Sequence, residues 1–182
     1  MTNATHTTAA AQELNIIEAG QTSISARLTA KKKAHDDFLQ ARGLKPKVRT
    51  AILALVTAGA DAAVVNQLRE ALAVLPVVCM EIDHVSHDAL LPADIALFAT
   101  CNLAQSHSIK HALNAGAVPV VSEHIAPKNL AEDYDPTTEQ GNSFFATTEN
   151  AWGIFAAAVR AVETFRFPYD WQGIVRNAMN VK

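Results

Sequence analysis

Cysteine and long apolar runs are both scarce in this sequence, and each scarcity excludes a class of protein. Only two cysteines, Cys79 and Cys101, occur among 182 residues, so we interpret them as free buried thiols rather than as a disulfide framework. No apolar run approaches the roughly 20 residues of a membrane-spanning helix. The first residues have neither the basic region nor the apolar core that is typical of a secretory signal. We therefore expect a cytoplasmic protein that does not bind a membrane.

An excess of positive charge is lacking as well. Lysine and arginine together number 15 against 18 aspartates and glutamates, which gives a formal charge of -3 and argues against nucleic acid as a partner. The one basic region runs from Lys31 to Arg49, and it fits either a solvated helix face or a patch for an anionic ligand or a partner. The hydrophobic share of 49% is high enough for a folded core. We expect a disordered tail over residues 1–22 and a single domain over residues 23–182.

Short apolar runs alternate with helical patterns along this domain. The runs predict strands over 51–56, 77–82, 95–98 and 118–121, and a shorter strand at Phe144 and Phe145. The helical patterns predict one helix over 30–42, one capped by Asp61, one between Ser106 and Gly116, one whose buried face carries Trp152, Phe155 and Val159, and a last one from Trp171. Strands that alternate with helices predict the α/β class, here a single doubly wound parallel sheet with helices on both faces.

The candidate ligand site follows from this topology. In an open parallel sheet, ligands bind beyond the carboxyl ends of the strands. The free amides at the start of the helix between Ser106 and Gly116 can bind an anion there. The residues that we expect to contact a ligand are the polar ones in the loops at that edge: Asn102, Gln105, Ser106, His107, Ser122 and Glu123. The alternative is that these residues only cap the helix and solvate the loops.

Two other groups of residues have the spacing of a metal site or of a nucleophile with its base, but we predict neither kind of site. His107 and His111 stand four residues apart, as zinc ligands on a helix do, and Glu123 would be a third ligand. Cys101 and His107 are close enough in sequence to act as a nucleophile and its general base. However, no oxyanion-stabilising feature accompanies them. Ordinary surface and loop histidines are the commoner origin of such patterns. We therefore predict no metal, no cofactor and no catalytic residue.

Three stretches, in their order along the chain, resemble a known family. They are KKKAHDDFLQARGL, then ADIALFAT followed by HALNAGAVPVV, then GNSFFATTENAWGIFAAAVRAVETFRFPYDWQGIVRNAM. Together they resemble the C-terminal Rossmann-like domain of bacterial glycogen synthases and plant starch synthases, which are glucosyltransferases of the two-domain GT-B type. The resemblance covers about residues 23–182 and implies the Rossmann-like half of a GT-B fold.

The departures from that family concern the residues that the resemblance implies at the donor site. An arginine and a Lys-Gly pair hold the donor's phosphates after the family's first strand, whereas this sequence has VTAGADAAV there, without a cation. Leu103 stands where the family has a glutamate that contacts the donor sugar. The paired glycines after the Pro-Val-Val strand are replaced by Ser122-Glu123-His124-Ile125. The scaffold is thus retained, while the implied catalytic set is not.

These departures favour a non-catalytic glycosyltransferase-like domain that acts as a binding or assembly module. The alternative is a subunit of a split glucosyltransferase that transfers glucose from a nucleotide sugar to a glucan. In the family an acceptor domain covers the strand-end face, and we find no counterpart of it in the sequence. We therefore expect a homo-oligomer or a separate partner chain, and at most a weak nucleotide-sugar or glucan ligand. A third interpretation, a flavodoxin-like signalling domain, needs an acidic cluster after the first strand, where only Asp61 occurs.

Overall fold

A computed structural model describes residues 23–44, 49–100 and 106–181 of the chain. The predicted tail over residues 1–22 lies outside the described residues. So do two of the candidate ligand contacts, Asn102 and Gln105, and the second cysteine, Cys101.

Five parallel strands form one sheet. They are β1 (Ala51–Val56), β2 (Val77–Ile82), β3 (Ile95–Phe98), β4 (Val118–Ser122) and β5 (Phe144–Ala146). Their order in the sheet is β2-β1-β3-β4-β5, and every neighbouring pair is parallel. β3 lies at the centre of the sheet with all four residues buried. The predicted α/β class and the predicted strands are confirmed, and β4 extends one residue further than predicted.

Six helices flank the sheet or cross its edge in the described ranges. They are α1 (Ile24–Ala41), α2 (Ala62–Leu72), α3 (His87–Leu90), α4 (Ser106–Ala115), α5 (Ala151–Phe165) and α6 (Pro168–Met179). None of the helices in the part of the chain that is described combines the length and apolar character needed to cross a bilayer.

Alternate residues of β1 belong to two separate apolar cores. Leu53 and Leu55 lie in one core together with buried residues of α2, α5 and α6. Ile52 and Ala54 lie in the other, with buried residues of α4 and with Leu39 of α1. Because successive side chains of a strand point to opposite faces, the sheet is covered by helices on both sides, as the doubly wound prediction requires.

Helix α1 differs from the predicted helix over 30–42 in its start and in its buried face. It begins at Ile24, after the hydroxyl of Ser23 accepts a hydrogen bond from the Ala26 amide at 3.3 Å. It buries Lys31 and Leu39, whereas Ala41, which shares a helical face with Ala34 and Phe38 and which we expected to be buried, is exposed. Its pattern is hard to recognise because α1 lies across the amino ends of the strands rather than flat on a face, and so buries few apolar side chains.

Helix α5 also corrects the prediction of its buried face. Trp152 is 69% exposed, and Phe155 is only partly buried. The residues buried against the sheet are mainly small ones, among them Ala157, Ala158 and Ala161. Small side chains let this helix approach closely, so the large aromatic residues of its first turns stay at the surface.

The position of Cys79 corrects the prediction that both cysteines are buried. Cys79 lies on β2, an outer strand of the sheet, and is exposed rather than buried. The interpretation of both cysteines as buried thiols is therefore wrong for Cys79.

Two predicted helix boundaries are confirmed. The Asp61 carboxylate accepts hydrogen bonds from the Ala63 and Val64 amides at 2.7 and 3.4 Å, and α2 follows it. Gly116 ends α4 with a φ of 66°, a backbone conformation that glycine adopts without steric cost. A Cβ at Gly116 would stand 2.3 Å from the methyl group of the Met179 side chain in α6, which would have to shift.

Candidate functional site

The carboxyl edge of the sheet is the place where the topology predicts a ligand. The loop after β1 is hydrogen-bonded to the end of β2. Thr57 donates through both its amide and its hydroxyl to the Ile82 carbonyl, at 2.9 and 3.3 Å. The Thr100 hydroxyl, just beyond β3, donates to the Gly59 carbonyl at 3.2 Å. The direction of the strand order changes between β1 and β3. The hydrogen bond from Thr100 to Gly59 therefore links the carboxyl ends of these two strands.

The start of α4 stands at the same edge. The helix begins at Ser106 itself, so Ser106 is its first residue and not the cap that we predicted. Ser106 and His107 are both exposed. Their position leaves the first-turn amides of α4 facing the end of the sheet where an anion would bind.

The two predicted contacts after β4 differ in accessibility. Ser122 is fully buried, and its hydroxyl has no hydrogen-bond partner among the described residues. Its carbonyl accepts from the Ile125 and Ala126 amides at 3.1 and 3.2 Å, which makes a tight turn. Glu123 is exposed, and its amide donates to the Ala146 carbonyl at 3.0 Å. Of this pair, only the Glu123 carboxylate faces solvent where a ligand would lie.

The charges described at this edge are acidic. The loops that follow β1, β2 and β5 and the turn over 123–126 contain four carboxylates and no lysine or arginine, and the described residues just after β3 are uncharged. The carboxylates are those of Asp61, Asp83, Glu123 and Glu149. His124 approaches Glu149 at 3.9 Å, with both side chains more than half exposed. No group of three or more His, Cys, Asp or Glu in the described ranges is placed to hold a metal ion.

The amino edge of the sheet holds a second constellation, which our sequence interpretation did not identify. Asp94, just before β3, accepts a hydrogen bond from the Ile52 amide at 2.9 Å. The His35 Nε2 atom of α1 lies 3.3 Å from the same carboxylate oxygen and 3.3 Å from the Thr50 carbonyl. Since both neighbours are acceptors, Nε2 carries a proton. The hydrogen bond to Asp94 raises the pKa of His35, although burial partly opposes it.

Lys31 lies beside this pair and is itself buried. Its ammonium group donates to the Ala93 carbonyl and, at 3.5 Å, to the Leu91 carbonyl. Burial lowers the pKa of Lys31 to about 8, and the nearby Asp94 charge partly offsets that effect. Lys31 therefore remains mostly protonated at neutral pH and ties α1 to the segment that leads into β3. The sequence signal was the basic region itself, but nothing in it indicated which lysine is buried.

The chain is similar in sequence to glycogen synthases from several bacteria. It is 33% identical to the enzyme of Desulfitobacterium hafniense over 103 residues, which are 54% of this chain and 21% of that protein. It is 32% identical to that of Alkaliphilus metalliredigens over 87 residues, 48% of this chain and 18% of that protein. It is 31% identical to glycogen synthase 1 of a Synechocystis strain over 101 residues, 53% of this chain and 20% of that protein.

The extent of these matches defines what they support. The matched part of the chain spans about a fifth of the length of these curated relatives, and no family model matches the chain. Together with the parallel α/β sheet, the matches support a glycogen synthase-like domain with a Rossmann-like fold.

Proposed function

We propose that this glycosyltransferase-like domain is a non-catalytic module that serves binding or assembly. The observation that carries the proposal is the charge of the carboxyl edge. The described residues of its short loops offer carboxylates, Glu123 foremost among them, and no lysine or arginine. A nucleotide-sugar donor brings a pyrophosphate to that edge, and a carboxylate repels it.

The energetic consequence is large. A charge-assisted hydrogen bond contributes about 1.5–3 kcal/mol, and the resemblance implies two cations after the first strand. In this chain the segment between Thr57 and Asp61 uses its polar groups on the protein itself, as the hydrogen bonds to Ile82 and Thr100 indicate. Losing two such contacts weakens donor binding by about a hundredfold or more, at about 1.4 kcal/mol per tenfold. The same cations would support the departing diphosphate, so catalysis would suffer further.

The alternative is a subunit of a split glucosyltransferase. It is favoured by the retained geometry of α4, whose exposed first turn begins at Ser106 and whose end is fixed by Gly116. Amides at a helix start bind anions without needing particular side chains. A nucleotide sugar held there by a partner chain that supplies the cations would make the complex active.

Glucose transfer distinguishes the two functions. The purified chain is incubated with radiolabelled ADP-glucose or UDP-glucose and glycogen, and incorporation of label is measured for the wild type and for Ser106→Asp. The added carboxylate should weaken any anion bound at the start of α4. We expect no incorporation by either protein.

A matched control is Ser25→Asp, which makes the same substitution in the first turn of α1, at an exposed position. Turnover by the wild type that persists in Ser25→Asp and disappears in Ser106→Asp would overturn the non-catalytic function. Turnover that appears only when a separate acceptor-domain chain is added, with the same dependence on Ser106, would favour the split enzyme.

Association with a second copy or a separate chain is part of the proposal, as is a cytoplasmic location. The exposed Trp152, in the first turn of α5 at the carboxyl edge, supports a contact on this face. Light scattering and a pull-down test it, and fractionation tests the location. A protein that stays monomeric at high concentration and captures no partner would contradict the assembly role.

A further inference from the structure

A groove of about 690 Å³ opens at the amino edge of the sheet, opposite to the edge discussed above. One wall is α1, the other is the end of α5 and the middle of α6, and the floor is formed by the residues just before β1 and β3. Its size suits a small organic ligand, since such sites measure about 300–1,000 Å³.

Cationic side chains outnumber carboxylates in this groove. Lys31, Lys32, Arg49 and Arg176 line it, against the carboxylates of Asp36 and Asp94. Lys31 is held by the two carbonyl groups described above. The other three cations have no carboxylate within 4 Å among the described residues. Like charges that line one groove repel each other, and an anion bound among them offsets that repulsion.

Arg49 is positioned by an aromatic ring rather than by a carboxylate. Its guanidinium carbon lies 4.3 Å from the centre of the Phe165 ring. Stacking uses the face of the guanidinium group and leaves its N–H donors, which lie in the plane, for an acceptor. Burial lowers the pKa of Arg49, with Asp94 opposing the shift, but an arginine stays protonated at neutral pH.

The lining also has an apolar part, beside the polar side chains of His35, Thr50 and Gln172. Leu28 of α1 and Val175 of α6 face the groove, with Phe165 and Trp171 between them. A site with cations at its rim and apolar side chains along its wall suits a ligand of matching composition.

From these contacts we infer that the groove is a binding site for a small organic phosphate. The phosphate pairs with Lys32, Arg49 and Arg176, and the organic part packs between Leu28 on one wall and Val175 on the other. The site lies at the opposite edge of the sheet from the donor site that the family resemblance implies, so it stands independently of the function proposed above.

The test uses adenosine monophosphate as the probe and its two halves, adenosine and inorganic phosphate, for comparison. The chain has two tryptophans, and only Trp171 lines the groove. In a Trp152→Phe background, Trp171 fluorescence therefore reports binding in the groove, and calorimetry gives the affinity. We expect saturable binding of the nucleotide that is about tenfold or more tighter than binding of either half.

Charge variants locate the phosphate. Arg176→Gln and Lys32→Gln should each weaken nucleotide binding by about tenfold, which corresponds to about 1.4 kcal/mol. Arg166→Gln is the control with the same change of charge, because Arg166 is exposed, lies outside the groove and pairs with Glu163 at 3.2 Å. It should bind as the wild type does, and circular dichroism should show all variants folded.

Three results would overturn the inference. One is the absence of saturable binding at millimolar nucleotide. Another is inorganic phosphate that binds as tightly as the nucleotide, which would leave the apolar wall without a role. The third is an equal loss of affinity in Arg166→Gln and Arg176→Gln, which would indicate general attraction to the protein surface.

Discussion

The two edges of the sheet carry opposite chemistry. At the carboxyl edge, the loops after β1, β2 and β5 and the turn over 123–126 contain carboxylates and no lysine or arginine, with Glu123 exposed and the Ser122 hydroxyl buried. At the amino edge, α1 crosses the strand ends and encloses Lys31, His35 and Asp94 next to a groove whose other cations have no carboxylate within 4 Å in the described ranges.

The contrast shows that scaffold and site are separable in this protein. Parallel α/β sheets bind ligands at the carboxyl edge because strand ends and helix starts meet there. This chain keeps that framework and lacks, among its described residues, the cations that would exploit it for a phosphate. Its converging cations lie at the other edge. A fold therefore does not fix where a domain binds its ligand, and the site has to be argued from its own residues.

The two tryptophans give the largest expected difference between the edges. Trp171 at the amino edge is 3% exposed and packs edge-on against Phe165 at 5.2 Å between ring centres. Trp171→Ala should lower the free energy of unfolding by about 3–5 kcal/mol, because it leaves a large cavity.

Trp152→Ala is the matched change at the carboxyl edge, where the side chain is 69% exposed. It should cost less than about 1 kcal/mol. Urea unfolding measures both. A similar loss in the two variants would mean that Trp152 is covered in solution, for example by a second copy of the chain.

The strands could be predicted from the sequence because each is a run of three to six mostly apolar residues between polar turns. Helix starts and stops with a specific chemical cause, such as the Asp61 cap and Gly116, could be predicted as well. The buried face of α5 could not, since much of the contact is made by alanines such as Ala158, while Trp152 is exposed and Phe155 is only partly buried. Size and hydrophobicity alone favoured the wrong face.

The amino-edge groove could not be predicted for a different reason. Its cations come from α1, from Arg49 before β1 and from Arg176 on α6, which are far apart in sequence. Only the crossing of α1 over the strand ends brings them together. At the carboxyl edge, the sequence did indicate the missing cations and the acidic Glu123, but not that Ser122 is buried. Asn102 and Gln105, in the same set, remain predictions.

The amino edge should also make stability depend on pH. The contact with Asp94 raises the pKa of His35 above its ordinary value, which is about 6.5. The protonated form therefore stabilises the fold fully below about pH 6.5, and this contribution is lost as the pH rises through the folded-state value. Because His35 is only partly buried, we expect a loss of under about 1 kcal/mol between pH 6 and 8.

Urea unfolding across that interval measures the effect, and two variants assign it. His35→Gln removes the titrating group, and Asp94→Asn removes the charge while keeping an oxygen for the Ile52 amide. His35→Gln should flatten the loss of stability as the pH rises. Asp94→Asn should abolish that loss as well, and because the Asp94 charge also raises the lowered pKa of Lys31, this variant should instead gain stability as the pH rises. An unchanged slope in His35→Gln would place the titration elsewhere in the molecule.

The smallest effect that we expect is the difference in stability when the same substitution, serine to aspartate, is made at each edge. A carboxylate in the first turn of a helix stabilises it by about 0.3–1 kcal/mol at low ionic strength. Ser25→Asp makes that change in α1 at the amino edge, whereas Ser106→Asp makes it in α4, near the acidic loops that contain Glu123 and Glu149. Repulsion from those carboxylates should make the gain smaller for Ser106→Asp.

The difference should shrink when salt is added, because the charges are exposed and screened within about 10 Å at 0.1 M. Thermal and urea unfolding at low and high salt measure it. An equal or larger gain for Ser106→Asp would show that the acidic loops exert no net field at the start of α4. That result would remove the electrostatic argument against an anionic donor at this edge, and with it the main support for a non-catalytic module.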